Sequence, residues 1–231
     1  TPVIMAKVKD QSLEEEVIVE EVEGKASIND FITQNQNLLI VAGLIVLAVI
    51  AGLVYMFSNQ GKANEQANAD MFKAIYYFEQ DSMQKALNGD GVNYGFLDVI
   101  DDHSGTATAN AAKYYAGVAY LKLGQVNDGL DMLESVSTSG NTLGMSTYIA
   151  LGFAYEDQGD YGKAASNFEK AATTPAESDN TTPLFLQKAG ENYEANGDIA
   201  KARKLYQKIK DEYPTSQQGS QIDKYLGRVA E

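Results

Sequence analysis

Residues 38–57 read LLIVAGLIVLAVIAGLVYMF, twenty positions without one charged or strongly polar side chain. As a helix rising 1.5 Å per residue this block spans about 30 Å, the thickness of a bilayer's hydrocarbon core. A core helix of that length would carry a polar stripe, and this one is apolar all round. A signal peptide would have a short basic leader and a shorter apolar stretch, whereas the leader here is long and acidic. The pattern predicts a membrane-spanning helix over 31–58, bathed in lipid around 38–57, with Tyr55 near one interface. Lys7, Lys9 and Lys25 on one side face Lys62 and Lys73 on the other, so flanking charge alone does not orient the span.

Beyond the span the apolar positions change to a helical spacing that recurs about every 35 residues. KYYAGVAYLKLGQVNDGLDMLESV from Lys113 aligns with YIALGFAYEDQGDYGKAASNFEKA from Tyr148 and LQKAGENYEANGDIAKARKLYQKI from Leu186. Gly117, Gly152 and Gly190 form one column, and Tyr120, Tyr155 and Tyr193 a second. Gly124, Gly159 and Gly197 form the third, Gly129, Ala164 and Ala202 the fourth, and Leu133, Phe168 and Tyr206 the fifth. Each column has a physical reason. The first Gly lets two helices cross closely, with the Tyr filling the space beside it. The second Gly ends the first helix in a left-handed conformation. The small residue of the second helix permits close approach again, and the fifth column is expected to pack into the neighbouring repeat. Pro175 and Pro214 stand where second helices stop.

This small–Tyr–Gly–small–aromatic series resembles the tetratricopeptide repeat (TPR) family over residues 110–214. The resemblance implies an all-α fold: a single transmembrane helix followed by a TPR-type α-solenoid of antiparallel helix pairs. A linker helix and a degenerate first repeat are expected over 59–109. Its first helix falls near Ala69–Glu79, Asn88–Gly91 sit in an inserted loop, and Phe96–His103 mirrors Tyr206–Tyr213. A capping helix, Ser216–Ala230, closes the stack within 215–231. The register makes Gly117, Tyr120, Gly152, Tyr155, Ala164, Phe168, Gly190, Tyr193, Ala202 and Tyr206 the repeat-packing set. It turns Tyr114, Val118 and Leu121, then Ile149 and Phe153, then Gln187, Glu191 and Glu194 toward a partner-binding groove. That groove has an apolar floor and an acidic end, which suits an amphipathic or basic protein segment. It lacks the Lys, Arg and Asn with which chaperone-tail clamps of the family hold a carboxylate.

Composition narrows the chemistry. There is no Cys and one His, and 18 Lys+Arg against 32 Asp+Glu leave a formal charge of −14. Thiolate metal sites and disulfides are excluded, and the acidic balance argues against nucleic acid as a partner. His103 is expected at a helix end in a packing or capping role. Asp101 and Asp102 diverge on a helix, so they make a poor metal grip. The loop Gly89-Asp90-Gly91 lacks the Lys-Ser/Thr of a phosphate loop and the terminal Glu of a calcium loop, and reads as a turn. No catalytic residue, metal, cofactor or small-molecule substrate is expected. Residues 1–30 hold eight acidic residues among the first 37 against three Lys and read as a disordered tail. Within the tail, Val17-Ile18-Val19 is a candidate docking peptide and Ser27–Asp30 a capping box. Thr1 is no initiator, and Met5-Ala6-Lys7 makes a more natural start, so residues 1–4 are not expected to be native.

An acidic tail, one span and a TPR stack together resemble the YfgM-like proteins, ancillary subunits of the bacterial Sec translocon. LNGDGVNYGFLDVIDDHSGT and IKDEYPTSQQGSQIDKYLGR are similar to the Bacteroidota version. That resemblance implies an inner-membrane protein with a cytoplasmic N-terminus and periplasmic repeats. Its implied partners are the SecYEG channel, a PpiD-like membrane-anchored chaperone and emerging secretory chains. The alternative is a membrane-anchored TPR assembly scaffold unrelated to the translocon.

Overall fold

The computed structural model describes residues 36–139, 143–174 and 181–230, with the side chains at 36–40, 43, 53 and 55–60 outside the description. The acidic tail, its docking peptide and its capping box, and Pro175, lie outside the described residues. The chain divides into two compact units, Thr1–Phe57 and Ser58–Glu231.

Helix α1, Gln36–Glu79, runs through the apolar block and on to the first repeat. The expected helix 69–79 is thus the end of a longer one. In the first unit, the described apolar side chains of the block stand exposed, Leu47 at 62%. Among the described residues no helix is long and apolar enough to cross a membrane, and the side chains at 38–40, 43, 53 and 55–57 of the block fall outside them.

In the second unit, α1 is followed by α2 (Met83–Asn88), α3 (Phe96–Asp102), α4 (Ala107–Lys122), α5 (Val126–Glu134) and α6 (Leu143–Asp157). Then come α7 (Tyr161–Thr173), α8 (Thr182–Ala195), α9 (Ile199–Glu212), a 3₁₀ turn (Gly219–Gln221) and α10 (Ile222–Arg228). No strand occurs among the described residues. The pairs α4/α5, α6/α7 and α8/α9 are the three repeats. Local chemistry sets their starts. The Thr106 hydroxyl accepts from the Ala109 N–H at 3.0 Å, and the Asp160 carboxylate from the Lys163 N–H at 3.1 Å. A proline lies in the first turn of α8.

The turn inside each repeat is a six-to-one cap closed on the column-two tyrosine. The N–H groups of Gln125, Asp160 and Asp198 donate to the carbonyls of Tyr120, Tyr155 and Tyr193 at 2.8–2.9 Å. The geometry needs a left-handed residue one position earlier, and Gly124, Gly159 and Gly197 supply φ of 74–84°. The first-column glycines are contact points. A Cβ on Gly117 would lie 2.6 Å from Leu133, on Gly152 2.7 Å from Phe168, and on Gly190 2.4 Å from Tyr206. Column five therefore covers column one of its own repeat, a contact beyond the expected packing into the neighbouring one. It reaches the next repeat as well: the Phe168 and Phe185 rings stack at 6.5 Å.

The first repeat is more complete than its sequence suggests. Ala74, Tyr77, Asp81 and Ala86 keep the three-, four- and five-residue spacings of the later columns. Ala74 and Ala86 are fully buried, the Ser82 N–H donates to the Tyr77 carbonyl at 2.8 Å, and Asp81 takes the left-handed position at φ 56°. Its second helix starts at Met83 and is split. Ten positions separate Ala86 from Phe96 where four separate Gly129 from Leu133, so six residues are inserted. Phe96, fully buried, then takes the column-five place. The terminal cap is shorter than expected from Ser216–Ala230, being the 3₁₀ turn and α10. Ile222 and Val229 anchor it in the core.

Candidate partner-binding groove

The row of first helices carries the candidate groove. Tyr114 and Val118 on α4 and Ile149 on α6 are half-buried and pack on one common core cluster. Burial holds the Tyr114 hydroxyl above its ordinary pKa. Phe153, one turn beyond Ile149, keeps 42% of its surface exposed. Its ring meets Phe168 edge-on at 5.0 Å, and the Lys188 ammonium lies 5.4 Å above it. Lys188 is held there by Glu156 at 3.5 Å, which also accepts from Asn192 at 3.1 Å. The site is thus an apolar strip ending in a partly exposed aromatic ring with a cation over one face.

Two parts of the expected groove are used inside the fold. Leu121 faces α5: a Cβ on Gly129 would lie 2.8 Å from its side chain. It fills the space that Gly129 leaves. The acidic end is not an open surface, because α10 lies on it. Gln187 donates to the Glu191 carboxylate at 2.8 Å and to the Tyr225 hydroxyl at 2.9 Å. Glu194 accepts two bonds from the Arg228 guanidinium at 3.0 and 2.9 Å and one from the Tyr206 hydroxyl at 3.1 Å. The Arg228 bonds hold the Glu194 carboxyl below its ordinary range. At the acidic end, Glu194 is already paired with the chain's own Arg228.

The repeat-packing set lies where the columns place it: Ala164, Phe168, Ala202 and Tyr206 are fully buried, Tyr155 and Tyr193 nearly so, and Tyr120 is half-buried. The tyrosine column has a second role that the repeat pattern alone does not show. The Tyr155 hydroxyl donates to Glu134 and that of Tyr193 to Glu169 at 3.0 Å, tying each repeat to the second helix before it. Desolvation first, then the carboxylate, pushes both phenols up to about 12. The signal was a Glu directly after column five, at 134 and 169. Tyr120 has Leu97 at the corresponding place and no such tie is recorded for it among the described residues.

His103 caps α3 as Tyr213 caps α9, their N–H groups donating to Val99 and Ile209 carbonyls at 3.1 and 2.9 Å. Its ring pairs with Asp70 of α1 at 2.8 Å, which fastens the two helices. Asp90 organises the inserted loop as a turn. It accepts from the N–H groups of Val92 and Asn93 at 2.9 and 2.7 Å and from the Tyr77 hydroxyl at 2.6 Å. Those bonds, the phenol's first, hold its carboxyl far below the usual range. Among the described residues no three His, Asp or Glu converge as a metal site.

Tetratricopeptide repeat family models match residues 146–175 and 186–216, which are the pairs α6/α7 and α8/α9. Among solved structures, the chain is similar to a Podosopora anserina protein described as a kinesin light chain with nearly identical TPR-like repeats. The two are 17% identical at a TM-score of 0.51, over 72% of this chain and 85% of the other. No curated protein sequence matches. The chain therefore carries TPR repeats on an all-α fold, the architecture of a protein-interaction scaffold.

Proposed function

We propose that this protein is a non-enzymatic, membrane-anchored TPR scaffold, an ancillary subunit of the Sec translocon with its repeats in the periplasm. The strip Tyr114, Val118, Ile149 and Phe153 takes an apolar helix or extended segment from the SecYEG channel, from a PpiD-like chaperone or from an emerging chain. The observation that carries the partner-binding reading is Phe153. A large aromatic ring left two-fifths exposed in a row of otherwise half-buried apolar positions is what a contact surface leaves uncovered. The uncharged block 38–57 supports the anchor, and the likeness to YfgM-like proteins supports the translocon and the periplasmic side.

The test is a photo-crosslinking amino acid at 153, with a second at the exposed position 127 of α5 as control, in the full chain in native membranes. Channel or chaperone adducts from 153 and not from 127 are expected. Adducts only to other membrane proteins would keep the scaffold and remove the translocon. Equal labelling from both positions would remove the strip.

A further inference from the structure

We propose that the N-terminal edge of the solenoid, the face of α1 formed by Ala69, Phe72 and Tyr76, is a self-association surface. It pairs two copies of this chain about a two-fold axis, with their α1 helices side by side and parallel.

The repeat register locates the face. Five residues before column one and two after it stand Ala112 and Ala119 in α4, Thr147 and Ala154 in α6, and Phe185 and Asn192 in α8, and all six are buried. The repeat ahead supplies the cover. Phe185 stacks on Phe168 at 6.5 Å, and Asn192 donates to Glu156 at 3.1 Å. Two residues before column one, Tyr115 likewise stacks on Phe96 of the first repeat at 5.6 Å. Counted from Ala74, the same positions of α1 are Ala69, Phe72 and Tyr76. Ala69 is exposed, Phe72 keeps 68% of its surface and Tyr76 48%. Their spacings of three and four put them in one stripe of the helix, opposite the fully buried Ala74. The stripe thus continues an interface that the molecule makes between its own repeats, and no described element covers it.

Three observations favour a second copy as the occupant. First, α10 seals the other end of the solenoid, with Ile222 and Val229 in the core, so copies cannot stack head to tail. Two copies meet here only through the same face, which closes at a dimer. Second, α4 and α6 carry Ala119 and Ala154 where α1 carries Tyr76. Small residues admit a close neighbouring helix. The projecting Phe72 and Tyr76 hold such a helix off, but one turn apart they interleave with an identical pair of rings. Third, α1 from Ser58 to Glu79 holds two Lys and three acidic residues in a chain of net charge −14, so copies approach here with little repulsion. Across a parallel pair Lys73 faces the uncharged Asn68 of the copy. The parallel orientation rests on the anchor proposed above, since one bilayer holds both copies the same way up.

The chain has no Cys, so a single introduced thiol can form a disulfide only with another molecule. Ala69→Cys and, as control, Asn127→Cys on the exposed side of α5 are each oxidised in native membranes with copper–phenanthroline and air. A disulfide-linked dimer of the chain is expected from position 69 and not from 127. Adding Phe72→Ser and Tyr76→Ser to the Ala69→Cys chain should cut that dimer about ten-fold or more with the helical circular dichroism unchanged. No dimer from 69, equal dimer from 127, a disulfide from 69 to a different protein, or a dimer that survives loss of both rings overturns the proposal. Carbonate extraction of the same membranes reads the anchor separately, so failure of the pairing and failure of the anchor are told apart.

Discussion

At the scale of single residues, the glycine and tyrosine columns do separable work. Gly152 has the Phe168 ring against it, and that ring is fully buried, so it has nowhere to turn. Gly152→Leu should cost about 1–3 kcal/mol by overpacking, read as a lower denaturation midpoint. Gly227→Leu, where a side chain enters open space, should stay within about 0.5 kcal/mol. The tyrosines make a pH prediction. Folding favours the neutral phenols of Tyr155 and Tyr193, whose values rise to about 12 from 10.0. Their contribution is full below pH 10 and is lost as pH climbs to 12. Melting temperature followed over that window should fall more steeply in the native protein than in the Tyr155→Phe, Tyr193→Phe variant. Parallel curves would remove the linkage. The glycines were legible in sequence because one spacing recurs three times in register. The tyrosine ties were not read, since Glu134 and Glu169 lie 21 and 24 residues from their partners and their one mark, a Glu directly after column five, recurs only twice.

At the scale of elements, the same cap closes all four repeat turns, three with Gly and one with Asp81. A non-glycine residue at φ 56° carries backbone strain. Its ion pair with Lys122, at 2.9 Å, is largely exposed and contributes little. Asp81→Gly should therefore stabilise the protein by up to about 1 kcal/mol, checked by chemical denaturation. A loss of stability would mean that the Lys122 contact outweighs the strain. The first repeat shows why the sequence placed it only as a degenerate unit. Ala74 and Asp81 stand where glycines would have marked the columns, and six inserted residues displace Phe96 from its spacing. The cap shows the converse. A terminal helix was legible from the need to close the stack. That it would lie on the acidic end was not, because Arg228 and Glu194 are 34 residues apart and meet only through the fold.

At the scale of the whole molecule, the second unit is a short solenoid whose C-terminal edge is sealed by α10 and whose row of first helices keeps one apolar strip. On the proposed reading, covering the acidic end leaves Tyr114, Val118, Ile149 and Phe153 as the recognition strip, with hydrophobic contact as the main source of affinity. Replacing Phe153 removes ring contacts with Phe168 but empties no sealed core site, so folding and binding can be told apart in one variant. The most direct measurement is Phe153→Ser in the full chain, with adducts from a crosslinker at the neighbouring strip position 149 counted in native membranes and stability measured on the same purified variant. Partner adducts should fall about ten-fold or more while stability drops by no more than about 2 kcal/mol. Undiminished adducts, or a loss of several kcal/mol in the manner of a large-to-small core change, would contradict a partner-binding strip.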